Sequence, residues 1–117
     1  MASRPPHSAK MTATEVIMSY RTLLQHSTKM LDSVRNEDWE ALIELEIEYV
    51  REVERLSQAE AEVTLTEAEQ LEKYTLLSTI MDQDREIRET LVARRTMLEQ
   101  ALLSLNTKQK LEDSYRN

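Results

Sequence analysis

Between Thr14 and Val34 the residues Ile17, Tyr20, Leu24, Ser27, Leu31 and Val34 recur at steps of three and four. That spacing marks one face of a helix with a heptad seam. Val16, Leu23 and Met30 widen the seam to the broad apolar face of a bundle helix. Thr14 is placed to cap it. A second helix opens at Asn36, whose side-chain oxygen suits free backbone N–H groups, with Glu37, Asp38 and Glu40 at its positive end. Its apolar positions are Trp39, Leu42, Ile43, Tyr49, Val50, Val53 and Leu56, again at helical spacing. Glu46 falls inside this stripe, a turn after Leu42 and Ile43 and a turn before Tyr49 and Val50. Only Arg35-Asn36 separates the two helices, so the second, running to about Ala61, returns antiparallel to the first.

Val63-Thr64-Leu65 links to a third helix, announced by a capping box at Thr66 and Glu69. No proline, glycine or strong cap interrupts Thr66 to Leu105. The stripe reads Leu77, Ile80 or Met81, Asp84, Ile87, Leu91, Arg94, Leu98, Ala101 or Leu102, Leu105. About forty residues span roughly 60 Å, against roughly 30 Å for the first helix. The first two helices therefore cannot cover the third, and Leu91, Leu98, Leu102 and Leu105 overhang. A break at Asp82–Asp84 would give a compact four-helix bundle instead; the pattern favours the continuous helix. Asn106-Thr107 is placed to end it and to start a short last helix, in which Leu111 and Tyr115 share a face. The expected fold is all-α: an antiparallel helical bundle of three main helices, the third long, plus a short C-terminal helix. Residues 13–106 form the bundle and 107–117 a C-terminal regulatory segment. Residues 1–12 hold both prolines, lack periodicity and read as a disordered leader.

Composition narrows the chemistry. The chain has no glycine, which excludes P-loops and Rossmann turns, and no cysteine, which excludes disulfides and thiolate metal sites. Charged residues at 32% and aromatics at 4%, with glycine absent, are the composition of long helices. No apolar run is long enough to insert in a membrane, and no signal-peptide core is present. The net charge of −7 is unevenly spread: residues 37–72 hold thirteen acids against Arg51 and Arg55. Such a middle repels nucleic acid, so no direct nucleic-acid contact is expected. It suits protein partners, or is simply a solvated helix face.

Glu46 and Asp84 are the only acid–base pair to consider, and no nucleophile or oxyanion loop accompanies them. A bundle metal site wants Glu-x-x-His pairs, and neither His7 nor His26 follows a glutamate by three. Neither an enzyme nor a cofactor or metal protein is expected. Glu46, Asp84 and Arg94 interrupt apolar seams, and buried charges need partners. Glu46 is expected to pair with Arg94, Arg95 or Arg88; Trp39 is expected to anchor the turn between the first two helices against the middle of the third, and Tyr49 is a further structural residue. The overhanging stripe is the better clue, because large exposed apolar patches usually bind something. The residues expected to take a partner helix are Leu91, Leu98, Leu102 and Leu105, with Ile80, Met81 and Ile87 nearer the bundle. Met81 and Met97 add adaptable side chains, and Glu60, Glu62 and Glu69 an acidic rim. Leu111 and Tyr115 are expected to fold back and compete for the stripe.

Three motifs in order carry a resemblance. They are Trp39-x2-Leu42-x3-Glu46-x2-Tyr49-Val50-x2-Val53, then Asp84-x2-Ile87-x3-Leu91-x2-Arg94-Arg95-x2-Leu98, then Thr107-Lys-Gln-Lys followed by Tyr115. In this order the chain from about residue 13 to 117 resembles the FliT-type flagellar export chaperones. The resemblance implies a small cytoplasmic all-helical chaperone of flagellar type III export. It would bind the C-terminal helical segment of the filament-cap protein FliD, keep it unpolymerised and bring it to the export ATPase complex. In some members of that family the role extends to binding the flagellar master transcription regulator and reducing its activity. The family's last helix is often longer than the one available here. A homodimeric helical bundle without a client is the competing reading.

Overall fold

The computed structural model describes residues 10–116, so the reading of residues 1–9 as a leader lies outside the described residues. The described residues form three helices: α1 (Ala13–Arg35), α2 (Trp39–Glu60) and α3 (Glu67–Arg116). Two compact units make up the chain, Met1–Ile87 and Arg88–Asn117.

The start of α1 differs from expectation. Thr12, not Thr14, is the cap: its hydroxyl accepts from the Glu15 amide while Glu15 reaches back to the Thr12 amide. This reciprocal box satisfies two backbone donors that the first turn leaves free. Met11 is buried in the core. Residues 11 and 12 are thus part of the folded unit and not of a leader. The turn after α1 also differs. Asn36 caps the C-terminus of α1, and Asp38 is the N-cap of α2, accepting from the Ala41 amide at 3.2 Å. Between them Glu37 takes φ 55°, a left-handed conformation that glycine usually supplies and this chain has no glycine to offer. The expected box at Thr66 and Glu69 is present in both directions.

Side-chain pairs within the first unit give the helix directions. Ser19 donates to Glu52, and His26 approaches Glu48, so α1 and α2 run oppositely. Arg21 meets Glu72, Gln83 donates to Thr28 at 3.0 Å, and Arg35 donates to Glu86 at 2.6 Å, so α1 and α3 run the same way. Two apolar clusters fill the space between them. One gathers Met11, Val16, Tyr20, Leu23, Leu56, Ala59 and Ile80, with Tyr49, Val53, Val63 and Leu65 against it. The other gathers Leu31, Val34, Leu42 and Ile87, with Met30 and Trp39. Each fully buried aliphatic side chain contributes about 1.5–3 kcal/mol. Val16 and Val34 are the largest of these and anchor one cluster each.

α3 passes through Asn106 and Thr107 without interruption, so the expected short C-terminal helix is its continuation. Neither residue needs to break a helix. The Thr107 hydroxyl bonds the Leu103 carbonyl a turn back, which lets it sit in a helix interior.

Candidate functional site

α2 carries two apolar faces. Leu42, Leu45, Tyr49, Val53, Leu56 and Ala59 point toward the other helices, buried or half-buried. Ile43, Ile47 and Val50 form a second row at steps of four and three, and it is exposed: 59%, 49% and 45%. Continued at the same steps, that row reaches Glu54, Ser57 and Ala61. Ser57 and Ala61 line an open cleft of about 600 Å³ together with Gln70, Lys73 and Tyr74 of α3. The second row of α2 therefore borders α3. From α3 the row Leu71, Tyr74, Ser78, Met81, Arg85 answers it at the same steps. Leu71, Tyr74 and Met81 are exposed. A further hollow, lined by Tyr74, Leu77, Ser78, Met81, Asp82 and Arg85, continues from the first through Tyr74.

The register of the two walls follows from their contacts. Glu60 pairs with Lys73, and Tyr49 lies within electrostatic reach of Asp84. Antiparallel pairing then sets Val50 level with the turn of α3 from Met81 to Asp84. α1 meets α2 through Ser19 and His26, and α3 through Arg21, Thr28 and Arg35, on other faces of both helices. On the side away from α1, Val50 and Met81 thus stand level across the α2/α3 seam, Ser57 and Ala61 line its cleft with Tyr74, and Ile47 and Ile43 continue the exposed row of α2 past Met81.

Glu60 holds the loop end of this seam. Tyr20 donates to Glu60 Oε2 at 2.7 Å, Lys73 bonds the other oxygen, and the Lys73 ammonium stands 5.5 Å from the Tyr20 ring centroid. Burial, then the Glu60 hydrogen bond and charge, push the Tyr20 phenol well above its ordinary value. Burial and then Asp84 raise the Tyr49 phenol. At Glu52 burial pushes the carboxyl up, but hydrogen bonds from Arg55 and Ser19 and the charges of Arg55 and His26 outweigh it and hold the carboxyl below its usual value. His26 Nδ1 lies 3.7 Å from Glu48, too far for a hydrogen bond, and has no hydrogen-bond partner among the described residues.

Several expected site residues are placed differently. Ile80 and Ile87 are buried in the two clusters and cannot face a partner. Glu46 is exposed, and among the described residues no arginine pairs with it. Trp39 does pack where the α1–α2 turn meets Ile87. Met81 is exposed as expected. Within the second unit, Leu91, Leu98, Leu102 and Leu105 share one face of α3 and are exposed, as is Met97. Arg94 on that face is half-buried and engaged. Leu111 and Tyr115 are exposed too, Tyr115 at 90%. In the unbroken helix they lie roughly 110–150° round from the leucine stripe. They neither fold back nor cover it. The Ile43, Ile47, Val50 row was missed as a separate face; its own step pattern was the available signal.

Among the described residues no group of three or more His, Asp or Glu is placed to hold a metal, and no helix is long and apolar enough to cross a membrane.

The family described as "Flagellar protein FliT" matches residues 17–117. A protein named flagellar protein FliT from Photorhabdus laumondii subsp. laumondii is 30% identical over 101 residues, which cover 86% of this chain and 81% of that protein. No solved structure matches the chain.

Proposed function

This chain belongs to the FliT family of flagellar proteins, and from that premise we propose that it is an export chaperone that shelters an amphipathic helix of a flagellar client. The observation that supports this reading is the α2/α3 seam, where Val50 stands level with Met81 and Ser57 and Ala61 share a cleft with Tyr74, and which the exposed Ile47 and Ile43 extend along α2. Helix-in-groove recognition needs two walls and anchors at i, i+3, i+4 and i+7. The client proposed is the C-terminal helical segment of the filament-cap protein, FliD, held unpolymerised in the cytoplasm and delivered to the export ATPase complex. Binding of the flagellar master transcription regulator, with reduced transcription, belongs to the same proposal. The role is binding alone, with no catalysis, cofactor, direct nucleic-acid contact or membrane insertion.

The test is sedimentation of the cap protein with and without this chain. A chaperone holds it in a small complex of defined size; unchanged polymerisation contradicts the reading.

A second reading rests on the row Leu91, Leu98, Leu102 and Leu105, with Met97 beside it. Its heptad spacing suits pairing with a helix, from a client or from a second copy. Sedimentation at several concentrations separates them, because a purely structural homodimer does not dissociate when a client helix is added.

A further inference from the structure

The α2/α3 seam has a charge as well as a shape. α2 carries seven glutamates against two arginines. Two of the glutamates border the exposed apolar row. Glu46 stands beside Ile43, Ile47 and Val50, and Glu54 lies one turn beyond Val50 on the same face. Both are exposed, and no ion pair holds either among the described residues. Of the other five glutamates on α2, Glu52 takes Ser19 and Arg55, Glu60 takes Tyr20 and Lys73, and Glu48 faces His26, while Glu40 and Glu44 are exposed, as is Arg51 next to Val50. On the opposite wall Asp82 contributes another carboxylate, with Arg85 3.7 Å away and 69% exposed. The exposed apolar row of α2 is thus bordered by more carboxylates than arginines, with the mixed-charge pair Asp82 and Arg85 on the α3 side.

We infer that the helix seated in this seam is a partner segment with one apolar side and lysines or arginines flanking it. This rests on the docking reading above and adds the partner's charge. An apolar floor alone accepts any amphipathic helix of suitable size. Acids in the flanks of a client would meet Glu46 and Glu54, and like charges across an interface are what reject wrong partners. Bases there meet unoccupied carboxylates. Because these rim groups are hydrated, they act mainly on encounter rate and selectivity, and salt screens them.

The experiment uses the full chain and two designed amphipathic peptides with the same leucine stripe, one flanked by lysines and one by glutamates. Binding is read by fluorescence anisotropy at low and at high salt. At low salt the lysine peptide binds about tenfold or more tighter, and the gap narrows as salt rises. Glu46→Lys with Glu54→Lys removes or reverses the preference, while circular dichroism shows the helices intact. Ile47→Asp with Val50→Asp weakens both peptides. Equal affinity of the two peptides at low salt overturns the inference but leaves the docking reading standing. Binding of neither peptide, or indifference to the Ile47 and Val50 changes, overturns both. Self-association of the chain that is lost in the Ile47→Asp, Val50→Asp variant would show a second copy in the seam, and would overturn the inference too.

Discussion

Tyr20 on α1 donates its phenolic proton to Glu60 at the end of α2, 2.7 Å away, and the same carboxylate meets Lys73 at the start of α3. One glutamate thereby ties all three helices together where the α2–α3 loop closes. Tyr20→Phe removes the donor and keeps the ring under Lys73. A hydrogen bond to a charged group contributes about 1.5–3 kcal/mol, and partial exposure of Glu60 places this one near the lower end, at about 1–2 kcal/mol. Urea unfolding of the variant measures it; a loss under about 0.3 kcal/mol would show the bond to be incidental.

The same residue sets an alkaline limit. Tyr20 and Tyr49 are both raised above the ordinary tyrosine value, by burial first and then by Glu60 and Asp84 respectively. Above about pH 10 unfolded tyrosines release protons that the folded chain still holds. The folded state then binds more protons than the unfolded, so the stability they contribute is full below that pH and falls as pH rises through the folded values. Urea midpoints compared at about pH 8 and about pH 11 should drop for the wild type and drop less for Tyr20→Phe.

Trp39 is half-buried against Leu31, Val34, Leu42 and Ile87. Trp39→Ala should destabilise by about 2–4 kcal/mol, slightly below a fully buried tryptophan. A loss under about 1 kcal/mol would mean that the second cluster is closed by the aliphatic residues alone.

Glu46 makes a contrasting case. An exposed carboxylate with no ion pair contributes little to folding, so Glu46→Ala should change stability by no more than about 0.5 kcal/mol. A loss of several kcal/mol would mean that Glu46 is held in a buried pair after all.

The continuous α3 changes what truncation should do. Since Leu111 and Tyr115 sit off the leucine stripe, deleting residues 107–117 should leave client affinity within about threefold of the full chain. A tenfold tightening would show that the segment leaves its place in α3 and competes for the client.

How much of this was legible follows from particular residues. The all-α class, the three main helices, the box at Thr66 and Glu69 and the unbroken run past Asp84 all came from spacing and from the absence of breakers. The cap of α1 was misplaced by two residues because Thr12 and Thr14 are both suitable, and only Thr12 has Glu15 three residues on. Asn36 and Asp38 posed the same ambiguity, which the left-handed Glu37 between them resolved. The error at Glu46 is more instructive. α2 has a buried row at Leu42, Tyr49, Val53 and Leu56 and an exposed row at Ile43, Ile47 and Val50. Merged into one stripe, the two rows put Glu46 at the centre; taken separately, they put it between them, at the rim. Periodicity reports that a face is apolar and is silent on what covers it. Ile80 and Ile87 were assigned to a partner for that reason, although α1 and α2 already bury them.

The central claim is that the α2/α3 seam holds the helical C-terminal segment of the flagellar cap protein. Isothermal titration of that segment into the full chain and into the Ile47→Asp, Val50→Asp variant, with circular dichroism to confirm equal helicity, tests it most directly. The account predicts saturable binding to the wild type, weakened at least about tenfold in the variant, as expected when central anchors are lost. Binding of equal strength to both would contradict it.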